Sequence, residues 1–165
     1  MQVDAKAVLY MVTKEFGLER DTTKDRLILQ KTIYLLQAHG LQLGYGFSWY
    51  KYGPYSQDLV QDAYAVLRSE EYKFKNETSS WNFSPNSLQE FEKFKGICGD
   101  LLGDAASLEL LASVDFVKQT WCPKASKQEF ITKFRQSKKQ LFGRIPITDA
   151  MINKALGICK KLRAN

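Results

Sequence analysis

The sequence feature that most constrains the fold is an apolar stretch followed closely by a short, strongly aromatic one. Residues 29–37 read LQKTIYLLQ, and residues 47–56 read FSWYKYGPYS. Between them, Gly40, Gly44 and Gly46 interrupt helical periodicity and loosen the backbone. This arrangement predicts a helix, a glycine-rich connection, a short strand and a turn that begins another helix.

Helical periodicity covers most of the chain outside the aromatic segment. Apolar residues at helical spacing predict helices over about residues 3–16 and 23–39, the second with Thr22 as its N-cap. The apolar band of this second helix is too wide for a surface helix, so we expect it to be packed on more than one side. Four further helices are predicted towards the C-terminus. They begin at Pro85, Asp104, Ser126 and Thr148 and extend to about residues 102, 117, 141 and 162.

The predicted β structure is small. Side chains alternate over residues 47–51, and Gly53-Pro54 should end this strand because proline cannot donate to a sheet ladder. Ser56 then caps a helix that runs to about residue 67. Aromatic and polar residues alternate over residues 72–75 and 81–83, which predicts a hairpin and, with the first strand, a three-stranded antiparallel sheet. The fold class is therefore mainly α (α+β), and its first half follows an order similar to that of a winged helix.

Length and composition favour a single domain over residues 1–165. Hydrophobic residues make up 44% and charged residues 25%, which is ordinary for a globular protein with a core. No apolar run is long enough for a membrane span, and the N-terminal residues lack the apolar segment of a signal peptide. Cys98, Cys122 and Cys159 are too widely spaced for a disulfide framework or a metal pair, which favours reduced, buried thiols. We therefore expect a cytoplasmic protein.

The sequence carries no recognisable catalytic motif. A nucleophilic cysteine would need a base, and the only histidine, His39, stands beside Gly40 at a predicted helix end, where it suits the helix dipole. Neither a phosphate-binding glycine loop nor a metal-ligand spacing occurs. We expect no catalytic residue, no cofactor and no metal, and hence a binding protein rather than an enzyme.

The aromatic segment is the first predicted contact surface. Its aromatic residues cannot all point inward, because side chains alternate on a strand. Core packing is favoured for Tyr34, Phe47 and Trp49, whereas the remaining tyrosines and the neighbouring lysines suit a contact with a protein or a nucleic acid. The predicted partner-binding residues are Lys31, Tyr50, Lys51, Tyr52 and Tyr55. The alternative is that these side chains also pack against neighbouring helices.

The second predicted surface is basic. Residues 118–165 hold twelve lysines and arginines against two acids, whereas residues 1–117 hold twelve against sixteen. Such asymmetry predicts an acidic partner or nucleic acid, or else only the solvated face of two helices. This basic surface comprises Lys127, Lys133, Lys138, Lys139, Lys154, Lys160, Lys161 and Arg163. A winged-helix-like nucleic-acid-binding regulator is thus the alternative function, although Asp58 and Asp62 would lie on its recognition helix and count against it.

The two stretches together resemble a known protein family. LQK-x-x-Y over residues 29–34 and Y-x-YGP over residues 50–54 are similar to motifs of the Panacea family, the SocA-like antitoxin group, and above all of its YwgA-like members. The resemblance implies fold-defining roles for Gln30, Tyr34, Trp49, Gly53, Pro54 and Ser56.

The same resemblance implies a protein–protein contact and no catalytic residue. Within the family, such a domain acts as an antitoxin that neutralises a toxin, or as an adaptor that presents a toxin to a protease. A subunit of a larger phage or defence assembly is a further alternative that the residues do not separate from these.

Overall fold

The computed structural model describes residues 5–18, 22–68 and 85–164. This part of the chain forms seven α-helices and two small antiparallel hairpins. The helices are α1 (Ala5–Glu15), α2 (Thr23–Ala38), α3 (Gln57–Arg68), α4 (Pro85–Cys98), α5 (Ala105–Thr120), α6 (Lys127–Ser137) and α7 (Asp149–Arg163). The hairpins pair β1 (Ser48–Tyr50) with β2 (Gly53–Tyr55), and β3 (Gln140–Leu141) with β4 (Ile145–Pro146). The mainly α-helical, α+β class predicted from the sequence is confirmed.

Two helices form the centre of the fold. All residues of α2 from Leu27 to Leu36 are buried, and α5 buries nearly every residue from Ala105 to Val117. Helices that are buried on all sides belong in a core, and α5 packs against both α2 and α7. The prediction that the second helix is central is therefore confirmed. No helix in the described residues is both long and apolar enough to cross a bilayer.

The predicted helix caps define where most of these helices begin. The hydroxyl groups of Thr22, Ser126 and Thr148 each accept a hydrogen bond from the backbone N–H three residues later, at 3.1–3.2 Å. Ser56 does the same for Leu59 at 3.3 Å. At Asp104 the helix starts as predicted, but the carboxylate makes no bond to the backbone of the first turn and accepts instead from the hydroxyl group of Ser107.

Gly53-Pro54 continues the β structure, so the prediction that it ends the strand is wrong. Gly53–Tyr55 forms β2 and pairs with β1, with Trp49 opposite Pro54 and Lys51 and Tyr52 in the turn. Proline is tolerated because both strands of a two-stranded hairpin are edge strands, where one missing donor leaves no gap in a ladder. The second hairpin predicted over residues 72–83, and with it the third strand, lies outside the described residues.

The end of α6 also differs from its prediction. The helix ends at Ser137 rather than near residue 141, and Lys138 follows in an extended conformation with φ −150° and ψ 124°. The chain then enters the β3–β4 hairpin, which the sequence analysis does not predict. Lys138 is thereby turned into the core and is only 7% exposed, so its place on the predicted basic surface is wrong.

Candidate functional site

The two sequence motifs meet in space as one unit. The side-chain amide of Gln30 on α2 donates to the carbonyl oxygen of Ser56 at 2.9 Å and accepts from the N–H of Ser56 at 3.1 Å. Beside it, Nζ of Lys31 donates to the carbonyl oxygen of Pro54 at 2.5 Å. Because these groups are buried, the bonds to the N–H of Ser56 and to the carbonyl of Pro54 satisfy backbone groups that would otherwise be unpaired in the core. The carbonyl of Ser56 also accepts from the N–H of Val60 at 3.2 Å.

A second glutamine on α2 makes the same kind of contact. Gln37 donates to the carbonyl oxygen of Tyr45 at 2.6 Å and accepts from its N–H at 2.9 Å. Gln30 and Gln37 are seven residues apart and so lie on the same face of the helix, two turns from each other. The segment from Tyr45 to Ser56 is therefore attached to α2 at both ends. This contact of Gln37 is not predicted from the sequence.

Gly53 is required by the close approach of the β1–β2 hairpin to α5. Its φ angle is +88°, in the region that only glycine adopts easily. A Cβ atom at this position would also collide with the hydroxyl group of Ser113 on α5. Gly53 thus fixes the distance between the hairpin and the core helix.

Lys31 is buried, whereas the sequence predicts that it lies on an outward contact surface. The residue is only 2% exposed. The pKa of its ammonium is lowered to about 7, chiefly by burial; the carboxylate of Glu109 opposes this change and nearby Lys138 adds to it. Lys31 also lines a cavity, which is described below.

Glu109 on α5 is a fully buried carboxylate close to two buried lysines. Its Oε1 atom forms an ion pair with Nζ of Lys138 at 2.6 Å. Its Oε2 atom accepts from the N–H of Phe142 at 2.6 Å. Nζ of Lys138 also donates to the carbonyl oxygen of Lys51 at 3.4 Å. These contacts connect the segment after α6 to the turn of the β1–β2 hairpin.

The aromatic side chains of the hairpin divide between the core and the surface. Phe47 packs edge-on against Tyr34, with ring centroids 5.2 Å apart, and Trp49 lies 5.9 Å from Phe116 and 5.0 Å from Trp121. Tyr34 is buried, and the rings of Phe47 and Trp49 are partly buried against the core. The structure thus places these three aromatic residues at the core.

The other hairpin tyrosines are more accessible. Tyr50 is 66% exposed, the largest fraction among the large hydrophobic side chains of the described residues. Its ring lies 5.3 Å from that of Tyr55, which is partly buried. Tyr52 packs edge-on against Phe142 at 5.9 Å, and Nζ of Lys51 lies 5.2 Å from the centre of the Tyr52 ring. The hairpin therefore presents an aromatic and cationic surface, which we call the hairpin surface and define as Tyr50, Lys51, Tyr52 and Tyr55.

A cavity of about 280 Å³ opens between the hairpin surface, α2 and α3. Its lining combines three cations, four tyrosines and a few polar or apolar side chains, with no carboxylate among the lining residues that the structure describes. These residues are Thr23, Arg26, Leu27, Gln30, Lys31, Tyr50, Lys51, Tyr52, Tyr55, Val60 and Tyr64. Four of the five predicted partner-binding residues are those of the hairpin surface, and the cavity brings all five together.

A separate polar cluster surrounds Asp115, which is fully buried on α5. Its carboxylate accepts from the hydroxyl group of Tyr34 at 2.9 Å, lies 2.8 Å from Nε2 of His39, and accepts from Gln119 at 2.8 Å and from Arg163 at 3.2 Å. Burial alone would raise the pKa of Asp115, but the bonds from His39, Gln119 and Tyr34 outweigh it and hold that pKa below its usual value. The cluster joins α2, α5 and α7.

The thiols near this cluster are not placed for nucleophilic chemistry. Cys98, Cys122 and Cys159 are free and buried, as the sequence predicts. Burial raises the pKa of Cys98 to about 12, and burial together with Asp115 raises the pKa of Cys159 well above its ordinary value. Both thiols are thus kept protonated. Within the described ranges, no group of three or more His, Cys, Asp or Glu side chains is placed to hold a metal ion.

The predicted basic surface is reduced by two contacts. Lys138 is buried, as described above, and Arg163 is exposed as predicted, but its guanidinium is paired with Asp115. The other six residues of this surface are exposed: Lys127, Lys133, Lys139, Lys154, Lys160 and Lys161. Two of them lie on α6 and three on α7, so the charge is spread over two helices.

No protein-family model, no curated protein and no solved structure matches this chain. The resemblance to the Panacea family therefore stays a prediction from the two motifs.

Proposed function

We propose that this chain is a non-enzymatic interaction protein of the cytoplasm, an antitoxin-like or adaptor protein that resembles the Panacea family. It binds a partner protein through the hairpin surface and either neutralises that partner or delivers it to another protein, such as a protease. The mechanism is steric: the bound chain covers or presents the partner, and no covalent step is involved.

The observation that carries the proposal is the exposure of Tyr50. A tyrosine that is 66% exposed at the tip of a hairpin leaves a large apolar ring in water. Tyrosine is enriched at protein interfaces because it combines apolar contact area with a polar hydroxyl group. The neighbouring ring of Tyr55 enlarges the aromatic surface, and the amine of Lys51 adds a positive charge to it.

The hydrogen bonds that hold the hairpin in place also favour binding. Gln30 and Lys31 hold the β2 end of the hairpin to α2, and Lys138 bonds to the carbonyl oxygen of Lys51 in the turn. A surface that is already ordered loses less conformational entropy when a partner binds, so more of the contact energy appears as affinity.

The test is an interface variant with a matched control. We expect tagged wild-type chain, expressed in its native host, to co-purify with one partner in stoichiometric amount. With that partner purified, Tyr50→Ala should weaken binding by about tenfold or more, as for an interface hot spot. Leu88→Ala is the control, since Leu88 is also exposed, at 45%, but lies on α4 and outside the cavity lining.

If the chain is an antitoxin, it should also relieve the toxicity of its partner. The partner expressed alone should arrest growth, wild-type chain should restore it, and Tyr50→Ala should restore it poorly at equal protein level. Equal binding by Tyr50→Ala and Leu88→Ala, or the absence of any stoichiometric partner, would remove the support for the hairpin surface as the interface.

A further inference from the structure

The ammonium group of Lys31 has unused hydrogen-bonding capacity at the cavity. It can donate three hydrogen bonds. Among the described residues it donates only one, to the carbonyl oxygen of Pro54. The residue is 98% buried in terms of accessible surface and lines the cavity. Leaving buried donors unpaired is unfavourable, so an acceptor atom at this place in the cavity would stabilise the protein.

The charge of the cavity favours an acceptor that is negative. Arg26 and Lys51 join Lys31 in the lining, and no aspartate or glutamate lies among the lining residues that the structure describes. Arg26 is held in position because it donates to the hydroxyl group of Tyr64 at 2.7 Å and lies over that ring. A carboxylate would find charge-assisted donors here, which are about twice as strong as neutral ones.

The remaining walls favour a flat, apolar body. Tyr50 and Tyr55 present two rings tilted by 34° to each other, and Leu27 and Val60 add aliphatic surface. A volume of about 280 Å³ is at the lower end of the range for small-ligand pockets and holds one or two rings with a short substituent.

We infer that this cavity binds an aromatic carboxylate, with the ring against Tyr50 and Tyr55 and the carboxylate on Lys31 and Arg26. The inference goes beyond the proposed function and does not require it. A free aromatic acid presents this chemistry, and so does an aromatic residue next to an acidic one in a partner protein. Both sources place one ring and one carboxylate in the same cavity.

The test uses the full-length chain at pH 7 and four probes, with affinities measured by titration and the site located by protein NMR. The probes are indole-3-acetate, its neutral analogue indole-3-acetamide, acetate without a ring, and a blocked Glu-Trp-Glu peptide. We expect indole-3-acetate to bind about tenfold or more tightly than the amide, because only the acid carries a negative charge that pairs with the cations of the lining. Acetate should bind more weakly still, since it lacks the ring.

Two variants test which side chains bind the carboxylate and the ring. Lys31→Met should reduce the preference for acid over amide, and Tyr50→Ala, at an exposed position, should weaken the binding of both indole probes by a similar factor. Leu88→Ala, outside the cavity, should change neither. If Lys31→Met does not fold, the comparison of acid and amide on the wild-type chain and the result for Tyr50→Ala still decide the matter.

The results show whether the ligand is a small molecule or a segment of a partner protein, and which result would overturn the inference. Tighter binding of the free acid than of the peptide supports a small-molecule ligand, and tighter binding of the peptide supports a partner segment. Equal affinity for acid and amide, or binding of neither the acid nor the peptide, would overturn the inference. Neither result affects the co-purification experiment, so failure of this inference is distinguishable from failure of the proposed function.

Discussion

At the scale of single residues, the unusual feature is one buried carboxylate between two buried lysines. Glu109 is paired with Lys138 at 2.6 Å and acts on Lys31 through its charge. One carboxylate cannot fully compensate two buried ammonium groups, because burying an unpaired charge is strongly unfavourable. Lys138 makes the direct contact with Glu109. Burial lowers the pKa of Lys31, and the charge of Glu109 only partly opposes this change.

The lowered pKa of Lys31 makes its contribution to stability depend on pH. Its pKa is about 7 in the folded chain and near 10.5 in the unfolded chain. Between these values the unfolded chain binds more protons at this site, so the free energy of unfolding rises with pH in that window. Lys31→Met lacks this contribution. We expect the stability of wild type relative to Lys31→Met to increase from pH 7 to pH 9, by at most about 1.4 kcal/mol per pH unit.

Urea denaturation of both proteins at pH 7, 8 and 9 measures this difference. Lys139→Met is the matched control, because Lys139 is an exposed lysine next to the buried Lys138. The stability of wild type relative to this control should stay nearly constant. Parallel pH profiles for wild type and Lys31→Met would show that Lys31 keeps an ordinary pKa in the folded chain.

At the scale of elements, α2 acts as a support for the segment that carries the hairpin surface. Its glutamines bond both backbone groups of Tyr45 and of Ser56, at the two ends of that segment. A hairpin of two short strands is only marginally stable by itself in water. The hairpin therefore owes its order to α2 and to α5, against which Gly53 packs.

Replacement of Gln30 tests this dependence. Gln30→Met keeps the length of the side chain but leaves the buried N–H of Ser56 unpaired, whereas the C=O of Ser56 keeps its bond from the N–H of Val60. The change should cost about 1–3 kcal/mol. We expect lower stability in urea denaturation and faster hydrogen exchange of the Ser56 amide. Gln42→Met is the control, since Gln42 is exposed, and it should change stability by no more than about 0.5 kcal/mol. Unchanged exchange at Ser56 in Gln30→Met would contradict the proposed support.

The same elements show what the sequence can predict. Helices are set by local periodicity and caps, so Thr22, Ser126 and Thr148 could be assigned in advance. The β1–β2 hairpin could not, because its turn, Lys51-Tyr52, contains none of the residues that usually mark a two-residue turn. Lys138 likewise continues the exposed face of α6 in the sequence pattern. Its burial could not be predicted because its partner, Glu109, is distant in the chain.

Some residues of the candidate site could likewise be predicted from the sequence, and others could not. Tyr50, Lys51, Tyr52 and Tyr55 could be selected because aromatic density on one short segment is a local property. The contacts of Lys31 with Pro54 and of Gln30 with Ser56 join residues more than twenty positions apart. Such pairings have no signature in composition or spacing, and a buried lysine therefore has the same appearance in the sequence as an exposed one.

At the scale of the whole molecule, Asp115 connects parts of the chain that are far apart in sequence. From α5 its carboxylate accepts hydrogen bonds from Tyr34 on α2 and Arg163 on α7, and it lies 2.8 Å from His39 at the end of α2. Fully satisfied buried networks of this kind stabilise one arrangement of the helices over others, because any other arrangement leaves a buried charge without partners.

Replacement of Asp115 should therefore affect global stability and its dependence on acid. In Asp115→Asn the histidine and the arginine lose the negative charge they face, and we expect a loss of about 3 kcal/mol in the free energy of unfolding at pH 7. The pKa of Asp115 is lowered in the folded chain, so its contribution is complete above the ordinary pKa of an aspartate and is lost as the pH falls through the folded value. Wild type should lose stability on acidification more steeply than Asp115→Asn.

Asp149→Asn provides a matched control for this prediction. Asp149 carries the same chemical group and also contacts an arginine, Arg135, at 2.6 Å, but both side chains are largely exposed. Exposed ion pairs contribute little because water and salt screen them, so this variant should lose less than about 1 kcal/mol. Denaturation in urea at pH 7 and at several values below pH 5 measures both effects. Similar losses for Asp115→Asn and Asp149→Asn would show that the helices keep their arrangement without the buried network, and that the apolar core around α2 and α5 is sufficient to hold them.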